Sequence, residues 1–220
     1  MEDMRTRYSR LFTRGANPER LVFFSDAVFA IALTLLVIDI KVPADEGTTT
    51  AGDVIVSQWP AFLAYALSFA IIALNWMSHH RKFRVITSHD GGLMALNFVL
   101  LFFVAFVPFP TSLISEYGAD VAAVVLYAFV VGMLTVLQLA IWAYAWHKGL
   151  VNQEVDKPLY RYAARTPLAV PVVFWLSIPI AIFIDPAVAM YSWFLLFPVD
   201  IIWGRIEDRL SRRASATPQQ

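Results

Sequence analysis

The sequence predicts an all-α membrane protein of six transmembrane helices with both termini in the cytoplasm. Three observations predict it: a composition too oily for one soluble core, apolar runs of spanning length, and basic residues gathered in alternate loops. Of 220 residues, 59% are apolar and 15% charged, against about a quarter charged in an average soluble domain. A membrane span needs roughly 20 apolar residues, so about six fit.

The first span is read from Arg20 to Val42. Asn17 can cap it, Pro18 suits the first helical position, Glu19 favours the positive end of the helix dipole, and Pro43 ends it. Its apolar body is too long for the core of a signal peptide and lacks a small-residue cleavage site. The second span runs from about Val54 to Ser78 with Pro60 in its first turns, and the third from about Gly91 to Ile114, its far end distorted by Pro108 and Pro110. The fourth covers about Val121 to Trp146. Two shorter spans, Leu168 to Ile184 and Ala187 to Trp203, are joined by a tight turn at Asp185 and Pro186.

Sixteen of the seventeen Lys and Arg residues precede or, as Arg20, open the first span, follow the sixth, or lie between the second and third and between the fourth and fifth. Lys41 is the exception. Basic loops are retained in the cytoplasm, and only an even number of spans puts all of these on one side. Residues 1–17 form a cytoplasmic N-terminal segment, 18–206 one six-helix domain and 207–220 a polar cytoplasmic tail. Trp59, Trp142, Trp146 and Trp203 fall near span ends, where amphipathic rings favour the headgroup level.

Cysteine is absent, which removes disulfide and thiol chemistry. HExxH, GxSxG, Walker A and dinucleotide-turn patterns are missing, and so is the TVGYG filter. Neither an enzyme, a cofactor, a metal site nor a nucleic-acid partner is expected. Adjacent His79 and His80 have no third ligand at helical spacing.

Charged side chains inside a bilayer are costly, so Asp26 and Asp39 in the first helix need an explanation. At about 100° per residue, Arg20, Phe24, Ala27, Ile31, Thr34, Leu35 and Ile38 share one stripe, and Asp26 lies about 140° from Ile31. If the stripe lines a pathway, Asp26 does not. Periodicity alone leaves the stripe either a packing face or such a lining. Asp26 is either a hydrogen-bonded structural group or a proton relay. Asp39, one turn from the outer interface, is either a solvated helix end or an attractor of cations at the outer mouth. Trp76 and His79, at the depth of Asp26, are candidate donors to it, and Asn97 is another candidate partner or a helix–helix hydrogen bond.

Arg20, Phe24, Ser25 and Asp26 spell RxxxFSD, followed by AVFAIALTLLVIDI. With Trp76 and His79 in the second span, and Asn97 and the Pro108-Phe109 pair in the third, the pattern resembles the bacterial members of the endosomal and lysosomal transmembrane potassium channel family. The resemblance covers all six spans. It implies a potassium-selective leak channel of the cell membrane, a homotetramer whose first helices surround a central pore. Carried over by position, Ile31 matches the hydrophobic constriction, Leu35 and Ile38 further bulky layers, and Thr34 a threonine tied to selectivity. Arg20, Phe24, Ser25 and Asp26 with Trp76, His79 and Asn97 match a structural network. Arg20 falls in line with the pore stripe, where an arginine ring would repel potassium, so its side chain is expected to bend toward carboxylates. The competing reading is a proton-permeable channel, or a proton-coupled transporter using Asp26 or Asp39; no inverted repeat supports the latter.

Overall fold

The computed structural model describes residues 14–41, 50–118 and 120–196, without the side chains of 14–16, 39 and 195. Most of the N-terminal segment, the polar tail and residues 197–203 of the expected sixth span lie outside the described residues.

Strand β1 (Arg14–Ala16) leads into α1 (Glu19–Leu35). Asn17 sits at φ 87°, a left-handed position that Asn tolerates better than most residues, and its side-chain oxygen accepts the Glu19 amide at 3.1 Å. Pro18 then takes the cap position, and its carbonyl accepts the Val22 amide at 3.0 Å. After Leu35 the helix tightens to a 3-10 turn, Leu36–Asp39.

The second span starts later than expected. Thr50 and Asp53 form a capping box that opens a separate short helix, α2 (Ala51–Ser57). The two hydrogen bonds from Thr50 hold the Asp53 carboxyl below the usual carboxylate range. The long helix α3 (Trp59–Phe83) begins beyond a break at Gln58. Pro60 is the physical reason: it has no amide to give, and its ring would collide with the carbonyl four residues back, so it belongs in a first turn. At the other end α3 runs past Ser78, carrying His79 and His80 at its end and adding Arg81 and Lys82, which were expected between the second and third spans. Cations in a last turn complement the helix dipole.

Strand β2 (Ser88–Asp90) precedes α4 (Gly91–Phe106), whose cap Asp90 accepts the Leu93 amide at 2.9 Å. The expected proline distortion is a break at Val107, after which α5 (Pro108–Tyr117) completes the third span. Asp120 caps α6 (Val121–His147), the most buried of the spanning segments. The fifth span also differs from expectation. Residues read as loop form α7 (Lys157–Arg165), which continues through a 3-10 turn, Thr166–Leu168, into α8 (Ala169–Phe183). Asp185 caps α9 (Pro186–Ser192), followed by a 3-10 turn, Trp193–Leu195.

Among the described residues five segments are long and apolar enough to cross a membrane: Glu19–Ile38, Trp59–Phe83, Gly91–Tyr117, Val121–His147 and Lys157–Phe183. Helix α6 is the hub, packing most extensively on α8 and then on α4. Gly132 makes the α6–α8 approach feasible, because a Cβ there would run into the indole of Trp175. Two clusters fill the interior: one between α1, α3, α4 and α6, the other chiefly between α6, α8 and α9, with Ala64 of α3 and Ile114 of α5 joining it.

One end of the bundle carries a knitted cap. Strands β1 and β2 pair antiparallel, Ile86 bridges Val151, and the Asn152 amide donates to the Val85 carbonyl at 2.8 Å. The segment before the first span and the loops after the second and fourth therefore share one side, as their basic residues require.

Candidate pore helix and its polar anchor

Helix α1 has two unlike faces. Leu21, Ser25, Phe29, Ala32 and Leu36 are buried against α3 and α4. The opposite face bears Phe24, Ala27, Ile31, Thr34, Leu35 and Ile38, all exposed, with Ile31 at 58%, Leu35 at 41% and Ile38 at 66%. The Thr34 hydroxyl donates to the Ile31 carbonyl at 2.8 Å, so its proton is used within the helix and its oxygen lone pairs are free to face outward.

The buried face is tied down by a directed chain of hydrogen bonds. The Ser25 hydroxyl donates to the Leu21 carbonyl at 2.8 Å. Asn97 Nδ2 donates to Ser25 Oγ at 2.9 Å, leaving Asn97 Oδ1 to accept from His79 Nε2 at 2.9 Å. This order puts the His79 proton on Nε2, a tautomer assigned from the network. Ser25, Asn97 and His79 are fully buried. His79 stacks on Phe83 with ring centroids 4.3 Å apart and lies 5.6 Å from Phe29. A polar group in a dry interior is expensive unless paired; these bonds pair Ser25, Asn97 and His79 Nε2 across α1, α3 and α4, while His79 Nδ1 is buried with no partner among the described residues.

Asp26 stands beside this chain but outside it. Half-buried on the flank of α1, it accepts Trp76 Nε1 at 2.8 Å. Of the donors considered for it, the indole is the one that reaches; His79 turns to Asn97, and Asn97 turns to Ser25. Their ring and amide sit on the inner faces of α3 and α4, whereas Asp26 faces the rim. Phe24 rests edge-on against Phe98 at 5.6 Å. Arg20 is exposed and bonds to no described carboxylate, so the expected turn toward an acid is not seen. The Asp39 side chain lies outside the described ones.

Sequence reasoning missed a second polar seam. Lys82 is buried, its Nζ donating to the Gln138 carbonyl and Oε1, both at 3.3 Å, while Gln138 Nε2 donates to the Asn75 carbonyl at 3.0 Å. The sequence counts Lys82 among the basic residues between the second and third spans. Placed in α3, three residues after His79, it falls on the same inner face. Higher in the bundle, Ser68 Oγ meets Thr111 Oγ1 at 2.8 Å and the Tyr127 hydroxyl at 3.0 Å.

A polytopic α-helical membrane protein with one helix anchored through a buried serine and bare on the other side is a suitable subunit of a channel, and comparison with known proteins gives the family. The sequence model described as "Endosomal/lysosomal potassium channel TMEM175" matches residues 20–108. The chain is 37% identical over 194 residues to a protein of Streptomyces collinus named a potassium channel, covering 82% of this chain and 93% of that one. It is 29% identical over 170 residues to the "Endosomal/lysosomal proton channel TMEM175" of Gallus gallus, covering 72% of this chain and 33% of that one. Among solved structures it is similar to a crystal structure described as a lysosomal potassium-selective channel TMEM175 homolog from Chamaesiphon minutus. The TM-score is 0.71 and the identity 31%, over 84% of this chain and 96% of that one. The chain belongs to the TMEM175 family, a family of ion channels and not of enzymes.

Proposed function

We propose that this chain is a potassium-selective leak channel in which α1 from each of four copies lines a shared pore. The carrying observation is that Ile31, Leu35 and Ile38 are exposed on one face of α1 while the opposite face is locked to α3 and α4. In a membrane, exposed apolar residues face lipid or another copy. The hydrogen-bonded rear fixes how far α1 can rotate and so keeps the same stripe forward in every subunit.

Four Ile31 side chains would narrow the path to where an ion must shed water, with Leu35 and Ile38 as further layers. Potassium loses water more easily than sodium, which gives selectivity without a carbonyl filter. A hydrophobic constriction also closes by dewetting, so gate and filter coincide. Thr34 presents its oxygen lone pairs from the same face, and Asp39 raises cation concentration at the outer mouth. No cofactor takes part. The basic side faces the cytoplasm and the channel works in the cell membrane.

A second reading, proton passage through the same pore, is favoured by the name of the Gallus gallus relative. A carrier role for Asp26 is disfavoured, since that carboxylate is held by Trp76 away from the stripe. Potassium flux into liposomes holding the purified protein, with sodium and choline controls, tests the proposal. Selective potassium flux supports it, and saturable flux driven only by a pH difference contradicts it.

A further inference from the structure

Helix α7 has three faces, and the first is pinned. The Tyr160 ring stacks on Trp146 at 4.6 Å and on Trp142 at 5.9 Å, and its carbonyl accepts the Trp142 indole at 3.2 Å. Tyr160 thereby holds α7 beside the last turns of α6, at the level where indoles favour headgroups. The second face is basic. Lys157, Arg161 and Arg165 recur every fourth residue, which places them in one row. All three are exposed, α7 contains no acidic residue, and none of the three pairs with a described carboxylate. The third face carries Leu159 and Tyr162, both about half exposed; Tyr162 flanks the basic row beside Arg165, and Leu159 lies beyond it, about 160° round the helix from Arg161.

We propose that α7 is a binding face for anionic phospholipid, with Lys157, Arg161 and Arg165 holding headgroup phosphates while Leu159 and Tyr162 enter the acyl boundary. Arginine's planar fork suits phosphate oxygens, and lysine adds a point charge. Charge complementarity selects the anion. The apolar face, and the direct continuation of α7 into the apolar helix α8, select a lipid over a soluble acid, because both favour a row lying at the membrane surface. The inference rests on the spans alone, not on conduction.

The test uses the full chain in nanodiscs of phosphatidylcholine with phosphatidylglycerol, followed by detergent extraction and native mass spectrometry of retained lipid. Phosphatidylglycerol should be retained in preference to phosphatidylcholine, and less so as salt rises. Each of Lys157→Gln, Arg161→Gln and Arg165→Gln should weaken retention about five-fold, the equivalent of about 1 kcal/mol per basic residue near an anionic surface. The triple variant should approach a hundredfold loss; if it does not fold, the three single variants carry the test. Arg161→Lys should restore part of the affinity. Equal retention in variants and wild type, or no preference for phosphatidylglycerol in the wild type, overturns the proposal. Displacement of the lipid by soluble polyglutamate at matched charge overturns it too, and assigns the row to an acidic protein segment.

Discussion

Asn97 of α4 and Ser25 of α1 meet at 2.9 Å in a fully buried contact, and the other half of the same amide accepts from His79 of α3. One carboxamide thus joins three spans. Replacing it strands the buried His79 Nε2–H and takes from Ser25 Oγ the donor it accepts, although that hydroxyl keeps its bond to the Leu21 carbonyl. Asn97→Ala is expected to lower stability by about 1–3 kcal/mol, the cost of stranding a buried donor or acceptor. Thermal unfolding of the detergent-solubilised protein checks this, and Ser25→Ala, which strands only the Asn97 donor, should sit toward the low end of that range.

The Asp26–Trp76 bond separates an anchor from a proton carrier. Asp26→Asn keeps an acceptor for the indole and removes the charge. It should fold and still pass potassium in liposomes. Abolished flux in a well-folded Asp26→Asn protein would favour the carrier reading.

The α6–α8 contact depends on a missing side chain. Gly132→Ala drives a methyl into Trp175 and is expected to destabilise by about 1–3 kcal/mol, the usual range for overpacking. Trp175→Phe in the same chain should recover part of the loss, because the smaller ring vacates that space. The readout is the melting temperature of the single and double variants.

The proposed function places selectivity in dehydration at Ile31. Ile31→Asn offers a passing ion a polar partner and a wider opening, so sodium permeability should rise relative to potassium. Reversal potentials in proteoliposome patches under sodium and potassium gradients measure the ratio.

Helical periodicity made the two faces of α1 legible, because 3.6 residues per turn assigns every position on a straight helix a direction. It separated Asp26 from Ile31, Leu35 and Ile38 without any partner being known. Which donor meets which acceptor was not legible. Asn97 lies 72 residues from Ser25, and the angle at which helices cross decides whether the amide reaches Ser25 or Asp26. Helix α7 was read as loop because its charges dominate a hydropathy window, although Lys157, Arg161 and Arg165 already had helical spacing. Lys82 was counted in the basic loop between the second and third spans, because its buried partner Gln138 lies 56 residues away and only the fold brings the two together.

The most direct measurement starts from the absence of cysteine in this chain. Single cysteines at Leu35 and Ile38, and at Leu176 on the exposed side of α8, would be treated with a charged methanethiosulfonate reagent during potassium flux. If α1 lines the conduction path, modification at positions 35 and 38 blocks flux and modification at 176 leaves it unchanged. Flux untouched by modification at both α1 positions, with labelling confirmed by mass, would contradict a pore built on this stripe.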